Sequence, residues 1–240
     1  MPLQDLKNII SDTVRCAPVL SALSCDQYDY FMTAGPSVRV RDKRSGYFRF
    51  VIEDAEDIPR LTDGVMPLLS RIVVVDTAHE DIWRDLLPGA EFKRYRLTSV
   101  TRDMLRPPPV MDIDTKIVSM DESWYDLAIK LCEDEEFTAE SLKAQFRENL
   151  SLGLIWHGER TGFISTHLNG ELGPLWIDPK TRGNGLGTVL MGEYLRRYLC
   201  ENEIVFGLSG LENIASARIM ENLGFNTHEK DILHIMAKVG

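Results

Sequence analysis

Six residues, Arg182-Gly183-Asn184-Gly185-Leu186-Gly187, pose the first chemical question in this chain. Glycine at every second position leaves a turn nearly bare of side chains, so backbone N–H groups there approach an anion closely. A helix is expected from Leu186, and its start adds unpaired N–H groups and the positive end of its dipole. The chemistry this predicts is phosphate binding. Two ligand classes fit the spacing poorly. A nucleotide P-loop ends in Gly-Lys-Ser/Thr, whereas Gly187 is followed by Thr188 and Val189. A dinucleotide fingerprint reads G-x-G-x-x-G; here the spacing is G-x-G-x-G, in the last third of the chain. A turn without a ligand would carry three glycines at roughly 0.5–1 kcal/mol each in backbone entropy.

The elements that must position this turn follow from periodicity. Leu175-Trp176-Ile177-Asp178-Pro179 precedes it as a short apolar strand, within a longer strand expected from Glu171 to Asp178. The helix after it places Leu186, Val189, Leu190 and Tyr194 on one face. Upstream, Thr115 to Ser119 reads as a strand, and Glu122 to Cys132 and Ala139 to Asn149 as helices. Ser151 to His157 and Gly162 to Leu168 read as hairpin strands around Gly158-Glu159-Arg160-Thr161. Downstream come a strand at Ile204 to Leu208, a helix capped by Asn213 and running to about Leu223, and strands near Phe225 and Leu233. Arg106-Pro107-Pro108-Pro109-Val110 reads as a stiff extended linker and marks a domain boundary. Before it, Leu3, Leu6, Ile9, Ile10 and Val14 keep helical spacing. Tyr47 to Ile52, Ser70 to Val75 and Phe92 to Leu97 read as strands, and His79 to Leu87 as a short helix. The expected organisation is an α/β domain over 1–106, a proline-rich linker over 107–112 and a second domain over 113–240.

Bulk properties narrow the partners. With 240 residues, 44% hydrophobic and 27% charged, the composition is that of an ordinary globular protein. A net charge of −10 argues against nucleic acid, which needs a basic footprint, so an anionic ligand must be held by a local field. No apolar run approaches the ~20 residues that cross a bilayer, and the first residues lack the basic-then-apolar pattern of a secretion signal. Neither membrane association nor export is expected. Cys16, Cys25, Cys132 and Cys200 show no metal-like spacing and read as free thiols in a reducing cytoplasm. His157 and His167 flank the hairpin without metal-ligand spacing to Cys or Asp.

Two blocks bring a family into view. Arg182 to Gly187 matches the (Q/R)-x-x-G-x-(G/A) signature of the GNAT acyltransferase superfamily, and Leu175 to Pro179 resembles its pantetheine-binding strand. Asn213-Ile214-Ala215-Ser216, with Met220-Glu221-Asn222-Leu223-Gly224-Phe225, resembles that family's N-x-x-(A/S)-x-x-x-Y-x-x-x-G-F block at the same spacing. The likeness covers about residues 113–240. Within the superfamily the chain is most similar to the glycine N-acyltransferase-like branch. An α/β half comes first there too, and a glutamate lies on the strand before the cofactor loop. The resemblance implies a mixed α/β fold, a GNAT-like central mixed sheet flanked by helices, preceded by a smaller α/β N-terminal domain. It also implies a splay between the strand ending near Asp178 and the one starting near Ile204.

What the resemblance implies about chemistry is acyl transfer from acetyl-CoA, or another acyl-CoA, to an amine, with no metal. Arg182, Gly183, Asn184, Gly185, Leu186, Gly187 and Thr188 would hold the pyrophosphate. Lys180 and Arg182 add positive charge, or form a solvated loop face. The backbone of Leu175, Trp176 and Ile177 would bind the amide-bearing arm as an added strand, and Asn213 and Ser216 would face the cofactor. Glu171 is the candidate base, matching the family's catalytic glutamate; the alternative is a solvent-facing residue beside the Asn169-Gly170 turn. The Ile177 N–H is the oxyanion donor that the resemblance suggests. Met220 departs from the family's tyrosine, and a thioether donates no proton. The acceptor is expected to be a small-molecule amine or amino acid, attacking directly in a ternary complex. A sensor with a decayed site, or a protein or peptide N-acetyltransferase, are the alternatives. Residues 1–106 are read as a degenerate second copy of the fold, a lid over the acceptor site, or a homodimer surface.

Overall fold

Strand-forming residues dominate the first half, and their period-2 pattern decides which side is buried. The computed structural model describes residues 15–24, 28–75, 77–110, 113–132, 139–148, 150–167 and 170–237. The expected N-terminal helical residues Leu3 to Val14, Cys25, Asn149 and the Leu168-Asn169 pair lie outside the described residues. The chain divides into two compact units. One comprises 1–99, 206–214 and 226–240, the other 100–205 and 215–225.

The first unit holds α1 (Ala17–Ser24), β1 (Tyr28–Ala34), β2 (Ser37–Asp42), β3 (Phe48–Val51), α2 (Ile58–Thr62), β4 (Arg71–Val75), α3 (Glu80–Leu86) and most of β5 (Glu91–Thr101). Three later strands complete its sheet: β10 (Ile204–Gly210), β11 (Asn226–Thr227) and β12 (Ile232–Met236). The order is β1-β2-β3-β4-β12-β5-β10, with β11 also paired to β5. β3 and β4 run parallel, and β12 is antiparallel to both of its neighbours. Phe48, Phe50, Ile72, Val74, Leu233 and Ile235 bury one face with Ile58, Leu61 and Trp83. β1 and β2 carry Asp29, Arg39 and Arg41, charges that hide the strand pattern in the sequence. Arg39 is buried because the Tyr30 and Leu61 carbonyls accept its N–H groups at 3.0 and 2.5 Å.

The second unit is an antiparallel meander, β6 (Thr115–Ser119), β7 (Leu152–Trp156), β8 (Glu159–Thr166) and β9 (Leu172–Ile177), in that spatial order. Phe163 and Ile164 are successive, so they face opposite sides. Phe163 packs with Trp124, Tyr125 and Phe146 of α4 (Glu122–Cys132) and α5 (Ala139–Glu148). Ile164 packs with Leu190, Tyr194 and Leu195 of α6 (Leu186–Tyr198), and with Met220 and Leu223 at the end of α7 (Ile214–Asn222). Each such side chain contributes about 1.5–3 kcal/mol on burial. The Thr166 and Tyr194 hydroxyls bond across the interior, and burial pushes the Tyr194 phenol well above its ordinary range.

One sequence expectation shifts. The β7–β8 hairpin turns at His157-Gly158, with φ of 49° and 83°, so β8 begins at Glu159 and the turn is two residues long. Residues 107–109 lie inside the second unit. A Cβ on Gly192 would lie 2.5 Å from Pro108, so glycine there lets the proline segment seat on α6. The Arg106 N–H donates to the Leu223 carbonyl at 3.0 Å.

Candidate functional site

The site grows from an irregularity in β9. Ile164 pairs with Leu175 and Thr166 with Leu172, so Gly173 and Pro174 together oppose Ser165, a bulge in the last strand of the sheet. Proline is tolerated there because an edge strand asks for no donor on one side. Beyond the bulge the ladder is regular. The Asp178 N–H donates to the Thr161 carbonyl at 2.8 Å, which turns the Trp176 amide toward β8 as well. Alternation then sends the N–H and C=O of Leu175 and Ile177 to the open edge. The Ile177 carbonyl confirms this direction by accepting from Arg182 Nε at 3.0 Å. Trp176 stacks on Phe163 at 5.8 Å, so its ring is committed to packing.

The turn after β9 is built from its own polar groups. Asp178 Oδ1 accepts the Lys180 N–H at 2.9 Å, Thr181 Oγ1 donates to the Asp178 carbonyl at 3.0 Å, and Asn184 Nδ2 donates to the Thr181 carbonyl at 3.0 Å. Asn184 and Arg182 therefore brace the loop. Gly183 and Gly185 adopt φ of 86° and 75°, a conformation costly to other residues, and the space where a Cβ would stand is open. Intrahelical bonding in α6 starts with Thr188 and Val189, which donate to the Gly185 carbonyl at 3.0 and 3.1 Å. The N–H groups of Leu186 and Gly187, ahead of them, come too early in the helix for an intrahelical acceptor, though both residues are buried. Gly187 serves differently. Its Cβ would lie 2.9 Å from Ile219 Cδ1 and 3.6 Å from Ile177 Cγ1, so it permits close packing rather than a bare surface. Leu186 is buried and Thr188 nearly so.

Glu171 ends the β8–β9 loop and is half-buried, with its carbonyl accepting the His167 N–H at 2.8 Å. Behind this pair stands Gln145 of α5, 2% exposed. Its Nε2 donates to the Gly173 carbonyl at 3.2 Å, and its Oε1 meets His167 Nδ1 at 3.1 Å. Burial drives the His167 pKa down to about 4, so the ring is neutral at pH 7. The sequence singled out His167 only as a hairpin flank and gave no signal for Gln145.

The second block is divided. Asn213 immediately precedes α7, is exposed, belongs to the first unit, and donates its N–H to the Gly210 carbonyl at 2.9 Å. Ser216 is half-buried in the second unit. Met220 is 4% exposed in the core with Leu190 and Leu223. β9 and β10 belong to different sheets. Among the described residues, no cluster of three or more His, Cys, Asp or Glu is arranged to hold a metal ion, and no helix is long and apolar enough to cross a membrane.

Comparison with known proteins supports this architecture. Residues 152–233 match the family described as FR47-like protein. A Drosophila protein of known structure superposes with a TM-score of 0.70 at 12% identity, covering 99% of this chain and 96% of its own. A GCN5-related N-acetyltransferase from Kribbella flavida gives 0.63 at 12% identity, covering 96% and 97%. A tandem GNAT protein from the clavulanic acid biosynthesis pathway gives 0.53 at 15% identity, covering 87% and 81%. No curated protein matches the chain in sequence. These likenesses show the GNAT fold, a mixed α/β architecture with a large mixed sheet flanked by helices. They do not single out the glycine N-acyltransferase-like branch.

Proposed function

We propose, taking the GNAT fold as the premise, that this chain is an acyl-CoA-dependent N-acyltransferase. It would transfer acetyl to the primary amine of a small molecule or amino acid. The observation that carries this reading is the continuity of β9 with the glycine turn. Two edge-facing amides, at Leu175 and Ile177, lead into an exposed loop opened by Gly183 and Gly185 and then into the N-terminus of α6. That donor set fits a carrier with an amide-bearing arm and a pyrophosphate, since a strand edge suits the arm and a helix N-terminus suits the phosphates. The carrier would supply an activated thioester.

Glu171 takes a proton from the acceptor ammonium, directly or through a water, and so frees its lone pair to attack the thioester carbon. The Ile177 N–H stands on the open edge, where it can donate to the oxygen on which charge develops. The new C–N bond forms and the C–S bond breaks. Met220 is buried and holds no proton to give, so the departing thiolate takes its proton from solvent. A thiol pKa of about 8.5 makes that departure tolerable.

A second reading, an acyl-CoA-binding sensor, is favoured by that same thioether. Incubation with acetyl-CoA and a panel of amines, read by mass spectrometry, separates the two. An acetylated amine supports the enzyme. Tight CoA binding without product from any amine overturns it in favour of the sensor.

A further inference from the structure

We propose that Gln145 is a positioning residue of this site, clamping the β9 bulge through the Gly173 carbonyl while holding His167 in its Nδ1–H form beside Glu171. The kinetic part of this proposal rests on the acyltransferase reading; the structural part does not.

Gly173 offers a carbonyl, which only accepts, so the atom of Gln145 facing it at 3.2 Å must be the NH₂ group. The other end is then the oxygen, and it faces His167 Nδ1 at 3.1 Å. An oxygen there demands a proton on Nδ1, and that leaves the lone pair of the neutral ring on Nε2. Gln145 lies 2% exposed on α5, so neither end has bulk water as a ready substitute.

The two groups it holds stand at sensitive places. Gly173 adopts φ of 143° within the bulge, two residues before the first edge-facing amide, and a Cβ there would lie 3.0 Å from His167 Nε2. The imidazole edge thus rests on the bulge that sets where the Leu175 and Ile177 amides begin. His167 is also the cross-strand partner of Glu171. A cationic imidazole on the same face would pair with that carboxylate and make it a weaker base; a neutral one adds no such charge. Burial lowers the ring's pKa and keeps it neutral; Glu171 is the titratable residue across the ladder and Gln145 does not titrate.

Two variants, Gln145→Leu and Gln145→Glu, test the clamp. Long-range ¹⁵N–¹H NMR of the imidazoles reads it without any activity. In the parent protein His167 is expected as the neutral Nδ1–H tautomer from pH 7.5 to 5, and in Gln145→Leu the Nε2–H tautomer becomes substantially populated. A parent His167 in the Nε2–H form, or an unchanged tautomer in Gln145→Leu, overturns the clamp. In turnover, Gln145→Glu keeps the acceptor for Nδ1–H, loses the donor to Gly173 and adds a charge. Its kcat is expected to fall at least tenfold, with the acid limb of kcat moved up by at least one pH unit and the donor KM within twofold of the parent. Variants that lose only thermal stability, with kcat and pH profile unchanged, assign Gln145 to packing and overturn the positioning role. A parent protein that acylates no amine overturns the functional reading alone, and the NMR arm still decides the clamp.

Discussion

His167 and Glu171 face each other directly across the β8–β9 ladder. The His167 N–H donates to the Glu171 carbonyl at 2.8 Å, in register with the Thr166–Leu172 pair, so both side chains rise from the same face of the sheet. A candidate base and a neutral imidazole are therefore set together by backbone pairing, before any side-chain packing acts. The bulge that follows them on β9 then sets where the edge-facing amides begin. The site depends on the hairpin as a unit.

Glu171→Gln removes the base and keeps the backbone pairing. CoA affinity, measured by calorimetry, is expected to stay within about twofold, while kcat falls by about 10²–10⁴, the range for loss of a general base. A variant turning over at the parent rate from pH 6 to 9 removes Glu171 from the mechanism.

The three glycines of the turn separate by role. Gly183→Ala and Gly185→Ala force a Cβ into the left-handed region at a cost of about 1–2 kcal/mol, and the distortion falls on the loop, so the donor KM rises several-fold. Gly187→Ala meets Ile219 Cδ1, the far end of a flexible side chain, so its effect appears first in the melting temperature. Equal KM effects from all three positions would refute this division.

Met220→Leu tests whether the thioether has any chemical role. The swap nearly conserves volume, so stability should change by less than about 1.5 kcal/mol. Turnover is expected within twofold of the parent, because neither side chain supplies a proton. A tenfold loss of kcat in a folded variant would give Met220 a part that its burial does not suggest.

Acid weakens the fold through two buried histidines. Burial lowers His167 to about 4, and burial with the Lys93 and Arg71 charges lowers His234 to about 4; the ordinary value is 6.5. Between those values the unfolded chain binds more protons, so each ring's contribution is full above pH 6.5 and is lost as pH falls toward 4. The loss is about 2 kcal/mol per ring by pH 5. His234 stacks on Tyr47 at 5.4 Å, so His234→Phe keeps a ring and deletes the titration. Urea unfolding at pH 7 and pH 5 should show a smaller drop for the variant than for the parent; equal drops would exclude His234 as a source.

What the sequence disclosed follows from how local each cause is. The Gly183 and Gly185 conformations are local, since positive φ in a tight turn selects glycine, and the turn was legible. Gly187 carries the same letter for a non-local reason, contact with Ile219, and spacing alone could not separate the two. The β7–β8 turn was misplaced because His157 occupies a left-handed position usually filled by Asn, Asp or Gly. β1 and β2 stayed hidden because Arg39 sits in a strand interior, its charge satisfied by a carbonyl 22 residues away. Gln145 was invisible for a related reason, its partners lying 22 and 28 residues along the chain.

The insertion of β12 between β4 and β5 bears on how the protein is made. Ile232 to Met236 pairs on one side with Arg71 to Val75 and on the other with Glu91 to Tyr95. As the ribosome delivers the chain, β4 and β5 emerge with a vacant slot between them in the sheet. Two strand edges stay open until Ile232 to Met236 has been synthesised, and open edges invite pairing with other chains. The gap between β4 and β5 therefore closes only after the roughly 136 residues between Tyr95 and Ile232 have been made, so pairing of this sheet is non-local and late relative to synthesis of its first strands.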